Sequence, residues 1–277
     1  MVRGRHSVKT EIYVVSHKQA RMPQDPMYVP VQVGNAGHTY PGFQRDNTGD
    51  NIADKNASYC ELTAQYWGAH NRQADIKGLV HYRRLFSTGR TYFLSSVNQK
   101  WQHVLDNATL THLMRETDMI LPRKRNYYIE NMWQHYQKAH HIEGLVVTRQ
   151  VLQEKHPDYV PFFDQHMQEK KGHMFNMLIA RGALFDAYTD WLMDVLTAVE
   201  QRVDTSDYNQ YEQRIFGFIS ELLLDVWVNK NHIHYRELPV MFMGNQHWGR
   251  KLMRFFWRTV KPDYDNQKAL SSKDHCG

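Results

Sequence analysis

The chain opens with an apolar, β-branched run. Ile12, Val14 and Val15 fall within Thr10 to Ser16, and the run ends at the polar pair His17-Lys18, the pattern of a strand. A second extended stretch, Tyr28 to Val33, stops at the turn-forming cluster Gly34-Asn35-Ala36-Gly37. Tyr40 to Asn51 carries Pro41, Gly42, Gly49 and several Asp and Asn residues, so a loop is expected there. Ser58-x-x-Glu61 has the spacing of a capping box, and Tyr59, Leu62, Tyr66, Trp67 and His70 follow on one helical face. Ile76 to Tyr82 reads as a buried strand running into Arg83-Arg84. Asp118 to Leu121 reads as another, stopped by Pro122 and followed by Arg123-Lys124-Arg125.

The second half is more helical. Phe185, Tyr188, Leu192, Val195, Leu196 and Val199 mark one helix, and Tyr211, Ile215, Phe218, Ile219, Leu222 and Val226 mark another that reaches Asn231. His173 to Ile179 is expected as a strand with polar His173 and Asn176 near its start, and Ile233, Tyr235 and Leu238 to Met243 suggest late strands. Strands alternating with helices predict an α/β fold with a mixed, mostly parallel central sheet and a helix-rich C-terminal half. A single domain is expected over residues 1–260, with a polar tail over 261–277.

Composition narrows the function classes. The chain has 277 residues, 42% hydrophobic and 23% charged, ordinary for a globular domain. No run of about 18 apolar residues suggests a membrane span, and the basic N-terminus lacks the apolar core of a secretory signal. Two cysteines, Cys60 and Cys276, suit a reducing cytoplasm. The polar side is less ordinary: a net charge of +5 with 17 histidines invites a metal enzyme, a nucleic-acid binder or a binder of anionic or sugar-like ligands.

A metal site has little support. There is no His-Glu-x-x-His, no Cys-x-x-Cys and no Asp-x-Asp at a strand end. His140 and His141 are adjacent, so on a helix they point about 100° apart. His232 and His234 share strand spacing but have no evident third ligand. No metal-binding residue is therefore assigned.

The basic clusters are better placed, because ligands of open α/β sheets bind beyond the carboxyl ends of the strands. His17-Lys18, His81-Tyr82-Arg83-Arg84 and Arg123-Lys124-Arg125 all follow expected strands. Arginine forks there suit a phosphate or diphosphate, although strand-end basic residues can equally be solvated. The helix opening near Ser58 offers free N–H groups, approached by an Asn/Asp-rich segment that either contacts a ligand or only forms a turn. On the later helix, Arg214, Gly217 and Glu221 share a stripe. The bare glycine admits something closely, either a ligand beside a general base and its orienting arginine or a packed neighbour. Finally, residues 248–258 are basic and aromatic, fit for an anionic membrane interface or for a final packed helix.

Taken together and in order, these motifs resemble a bacterial family. They are Asp46-Asn47-Thr48-Gly49-Asp50-Asn51-Ile52, Lys55-Asn56, Tyr59-Cys60-Glu61-Leu62-Thr63, Tyr66-Trp67 and Gly78 to Arg84. Asp118 to Arg125, His173-x-x-Asn176-Met177 and Arg214-x-x-Gly217-Phe218-x-Ser220-Glu221-x-Leu223 complete the series. The family comprises capsular and exopolysaccharide glycosyltransferases, long labelled a domain of unknown function, and includes galactofuranosyltransferases. The resemblance spans roughly residues 8 to 240.

It implies a GT-A-like nucleotide-binding fold and sugar transfer from a nucleotide donor, UDP-galactofuranose in the galactofuranosyl members, to a lipid-linked oligosaccharide. A donor half over about 8–125 and an acceptor half over about 126–245 follow. His17, Lys18, Asn51, Lys55, Asn56, Tyr59, Glu61, His81, Tyr82, Arg83 and Arg84 would bind the donor. His81 to Arg84 stand where many such enzymes place a metal-binding Asp-x-Asp, so arginine in place of Mg²⁺ or Mn²⁺ would neutralise the diphosphate. Glu221 would be the base, with Asp118 in reserve, and Arg214 would orient it or touch phosphate. His140, His173 and Asn176 would contact the acceptor. A cytoplasmic enzyme at the inner face of the plasma membrane is the expected setting. The other classes are a non-catalytic sugar-nucleotide binder and an RNA binder. The scattered positive charge and absent nucleic-acid motifs speak against the RNA binder.

Overall fold

The computed structural model describes residues 8–34, 37–89 and 96–243. The first strand, β1 (Thr10–Ser16), is buried at every position, as a continuous β-branched run is when both sheet faces are covered. It pairs in parallel with β2 (Tyr28–Gln32) and β4 (Ile76–His81), and Val15 stands opposite both Val31 and His81. That register brings the residues after β1 and β4 to one end of the sheet. A two-residue strand, β3 (Gln44–Arg45), extends the β2 edge within the expected loop. The Gln32 amide fixes this segment by bonding the Tyr40 N–H and the His38 carbonyl.

On the other side of β4 runs β9 (Leu178–Arg181), antiparallel both to β4 and to β6 (Met119–Pro122), and β10 (Tyr235–Leu238) lies parallel to β6 at the edge. A short strand, β5 (Arg84–Phe86), folds back from His81 and pairs antiparallel with β11 (Val240–Phe242). The order β10-β6-β9-β4-β1-β2-β3 is the mixed, mostly parallel sheet expected. Apart from it, β7 (Arg125–Asn126) and β8 (Lys171–Gly172) form a small antiparallel ribbon.

Helices cover both faces. Tyr13 and Val15 point into the larger core, with α2 (Leu62–Asn71), α8 (Gly182–Glu200) and α9 (Ile215–Lys230). Ile12 and Val14 point into the smaller core with α4 (Asn107–Leu113), β5 and β11. The remaining helices are α1 (Asn56–Tyr59), α3 (Val97–Lys100), α5 (Met132–Ala139), α6 (Glu143–Lys155) and α7 (Val160–Gln168). Lys77, buried in β4, pairs with Asp186 of α8 at 2.7 Å and donates to the carbonyls of Gly68 and Ala69 at the end of α2. One buried cation thereby answers a carboxylate and the negative end of a helix dipole.

Three local expectations are corrected. Ser58 does not cap a helix: it lies inside α1, and its hydroxyl donates to the Lys55 carbonyl. The chain breaks at Cys60, whose φ of 54° interrupts what the spacing predicted as one helix, and α2 restarts behind Glu61. Residues 173–177 are not strand, since Phe175 and Asn176 both have positive φ, and the strand begins only at Leu178. Pro122 ends β6 from within, at an end where its missing N–H costs no ladder bond. Contacts gather the chain up to Met243 into one compact unit. The boundary expected at 260, the tail and the 248–258 stretch lie outside the described residues. No described helix is long and apolar enough to cross a membrane.

Candidate active site

A cleft of about 390 Å³ opens at the carboxyl end of β1 and β4. Its walls include His17, Asn56, Glu61, His81, Arg83 and Arg214. Three elements converge to build it. β1 and β4 end side by side and deliver His17, His81 and Arg83, while Tyr82 and Arg84 stand outside the lining. The break at Cys60 turns Glu61 inward from the α1–α2 corner. The approach to α9 supplies Gln210, Gln213 and Arg214. Gly217 is bare because a β-carbon there would stand 3.2 Å from the Cys60 sulfur. The glycine therefore accommodates a packed neighbour, and that neighbour carries the wall of the cleft.

The charge is uneven. Arg72, Arg149, Arg181 and Arg202 each pair with a carboxylate. Arg83, Arg84 and Arg214 have no such ion-pair partner among the described residues. Arg83 and Lys18 instead lie over the Tyr82 ring, Arg84 over Phe175, and Arg214 over Phe218 while donating from Nε to the Cys60 sulfur at 3.2 Å. Burial, then Arg84 and Arg83, push the His81 pKa down to about 3, and burial with Arg83, Lys18 and Arg214 lowers that of His17. Both rings are neutral at neutral pH. His81 Nδ1 accepts the Arg83 N–H at 3.2 Å, which leaves the proton on Nε2. The cleft thus presents guanidinium groups and imidazole donors, a setting for a multiply charged oxyanion.

A pair of carboxyls stands here, Glu61 in the wall of the cleft and Glu221 behind it. Burial, followed by the Glu61 charge, raises the Glu221 pKa to about 7, against the Phe175 backbone N–H, Arg84 and Arg214. Glu61 is held by the Asn176 amide, which donates to it at 3.1 Å and to the Gly217 carbonyl at 3.0 Å, while the Ser220 hydroxyl donates to the amide oxygen. The loop with left-handed Phe175 and Asn176 therefore serves both carboxyls at once. Such backbone is costly and accumulates at functional sites.

Other proposed residues lie elsewhere or face inward. Lys55 and Tyr59 both turn to Glu200, at 2.5 and 3.1 Å, and are structural ties to α8. Asn51 closes its own turn, donating to the Gly49 carbonyl and accepting the Ala53 N–H. His140 stacks on Phe218, outside the walls of the cleft, in a small recess with Tyr136 and Tyr208. His173 is fully buried, its Nδ1 at 2.7 Å from Asp225, and presents no face to an acceptor. Asn176 is likewise enclosed and acts on Glu61 rather than on a ligand. Asp118 pairs with Arg181 beside the start of β6, at the opposite end of the strand from the cleft. Arg123-Lys124-Arg125 divides: Lys124 faces Asp225 at 3.4 Å, whereas Arg123 and Arg125 are exposed. Gln210 and Gln213 line the cleft and carry no motif of their own, and Cys60, inside a motif, lines it without an assigned role.

Among the described residues, no group of three or more His, Cys, Asp or Glu side chains could hold a metal ion. The cleft presents Arg83 and Arg214, whose guanidinium groups carry no ligand atom and repel a dication.

The solved apo structure of the WbbM bifunctional glycosyltransferase is similar to this chain, with a TM-score of 0.78 and 27% identity. The likeness covers 86% of this chain and 46% of that one, so the chain spans less than half the length of that relative. No curated protein matches. The structural likeness is consistent with the GT-A-like layout that the motifs implied. A family model described as a domain of unknown function (DUF4422) matches residues 11–232, and with most of its length accounted for in this way the chain belongs to that family.

Proposed function

We propose that the protein is a glycosyltransferase. It moves a sugar from a UDP-sugar donor, with UDP-galactofuranose as the candidate, onto a lipid-linked oligosaccharide in capsule, exopolysaccharide or O-antigen synthesis, with inversion. The observation that carries this reading is the buried Glu221 carboxyl, its pKa raised to about 7, within the electrostatic reach of Arg84 and Arg214 and behind a cleft that Glu61, Arg83 and Arg214 line. Likeness to a bifunctional glycosyltransferase supports it.

The roles follow from the chemistry. Arg83, Arg84 and Arg214 neutralise the departing diphosphate, with His81 Nε2–H as a neutral donor, so no metal is needed. Asn56 and His17 border the same cleft and contact the nucleotide end. Glu221 takes the proton from the acceptor hydroxyl as it attacks the anomeric carbon, and a base with a pKa near the working pH is effective. A second assignment, Glu61 as the base, is favoured by its position in the cleft wall.

The test is a panel of UDP, GDP, CMP and dTDP sugars, scored by thermal shift and by product formation with and without EDTA. A specific rise in melting temperature with one UDP-sugar, and transfer that survives EDTA, are expected. Transfer abolished by EDTA and restored by manganese would remove the arginine account. No response to any nucleotide sugar would remove the enzyme.

A further inference from the structure

We propose that the turn at Tyr127-Tyr128-Ile129 is a membrane-docking tip, which seats this end of the protein on a bilayer rich in anionic lipid. Tyr128 and Ile129 are 76% and 84% exposed, the two most exposed large hydrophobic side chains among the described residues. They are adjacent, and the backbone fixes them there. The Ile129 N–H bonds the Tyr127 carbonyl at 2.6 Å, closing a three-residue turn whose central residue, Tyr128, has φ of 56°. The Asn126 side chain accepts the Tyr128 N–H at 2.9 Å, and the Tyr127 N–H bonds the Lys170 carbonyl. A strained turn pinned on both sides, with an aromatic and an aliphatic side chain facing water, has no use in the fold itself.

The surroundings state the partner. The turn rises from the β7–β8 ribbon, where Asn126 stands opposite Lys171 and Arg125 opposite Gly172. Arg123, Arg125, Lys170 and Lys171 are exposed about it. The nearby acids are engaged, Glu130 by Lys138 and His135 and Glu169 by His166. Apolar side chains beside cations that have no ion-pair partner among the described residues match the interface of an anionic membrane, where an aromatic ring sits at headgroup depth and each nearby cation adds attraction. The tip also follows the carboxyl end of β6, the end of the sheet that bears the cleft, and the Glu221 charge reaches Tyr127. Docking there turns the cleft toward the lipid surface. The inference does not depend on the reading of the cleft, since lipid binding is measured without substrate.

The experiment is co-sedimentation of the full chain with vesicles of phosphatidylcholine alone or mixed with phosphatidylglycerol, at low and high salt. The parent protein is expected on the mixed vesicles only, and released by salt. The double variant Tyr128→Ser/Ile129→Ser is expected to bind them roughly tenfold more weakly while its thermal melt is unchanged. A second variant, Lys170→Glu/Lys171→Glu, is expected to lose the preference for phosphatidylglycerol. Undiminished binding by the serine variant, as when residues 248–258 alone carry attachment, overturns the proposal. So does a parent protein that binds neither vesicle, or a tip whose substitution instead abolishes self-association in sedimentation velocity.

Discussion

Glu221 and Asp225 stand one turn apart on α9, and residues 173–176 reach both, yet their carboxyls are driven in opposite directions. Both are taken out of water, which alone raises each. Around Asp225 the protein supplies the answer itself. The His173 N–H and Nδ1 lie at 2.8 and 2.7 Å, and Lys124 and His166 stand within 4 Å, so the carboxyl is held well below its ordinary range. Around Glu221 the only fixed donor among the described residues is one backbone N–H, and the neighbouring Glu61 works against ionisation. One carboxylate is compensated by its fold, and the other is left largely uncompensated. The same holds for cations: Lys124 is spent on Asp225, while Arg83 and Arg84 are not spent. Compensation, more than residue type, separates the part of this sheet edge that holds the loop from the part that can bind.

The contrast can be broken most forcefully at Asp225. Asp225→Ala leaves His173, His166 and Lys124 without their anion and is expected to cost about 3–5 kcal/mol in urea unfolding; a loss below about 1 kcal/mol would falsify the claim that this node holds the loop. The stabilisation from the depressed carboxyl is present above its unfolded value of 3.8 and is lost as pH falls through the lower folded value. Glu221→Gln is expected to lower turnover at least ~100-fold while the fold survives. With the raised pKa the sign is reversed: the folded state keeps a proton that the unfolded chain releases. Glu221 therefore weakens the fold as pH climbs from 4.5 through about 7, and glutamine should abolish that slope. Near-normal turnover in the glutamine variant transfers the base role to Glu61.

Arg83→Ala and Arg84→Ala should each weaken UDP binding by about 1.5–3 kcal/mol in calorimetry. Arg202→Ala, which removes a surface pair with Glu154, should change stability by less than about 0.5 kcal/mol. The smallest effect sharpens the comparison. Glu61→Gln removes the charge that helps hold Glu221 protonated, so the acid limb of the rate profile should move to lower pH. An unmoved limb means that the two carboxyls do not communicate.

How much of this was legible in the chain depends on sequence distance. β1 and the end of β4 are readable because a buried parallel strand is a continuous apolar run, and the strand-end rule then points to His17 and to His81 to Arg84. α8 shows itself by period alone. The helices α5 to α7 do not stand out, although Asn131 and Gln134 form a full capping box. The loop at 173–177 reads as strand because Phe175 and Asn176 take a left-handed backbone with no glycine to announce it. Lys55 and Tyr59 read as ligand contacts because Glu200, the partner they turn to, lies more than 100 residues away. His173 reads as an acceptor contact for the same reason, with Asp225 standing 52 positions later. A motif displays the donors on its own segment, but the acceptor that claims each one is chosen by the fold.

The reversed strand β9 has a consequence for biosynthesis. β4 and β6 never touch each other; each pairs with β9, which is made 56 residues after β6 ends. At ribosomal speed that is a wait of roughly 3 to 11 s, during which both strands carry a bare edge of apolar side chains and unpaired amides. The nascent chain meets its greatest risk of aggregation in that interval. Whatever shields it then must act before Leu178 emerges, and slow decoding of residues 123–177 should raise the share of this protein found in insoluble material.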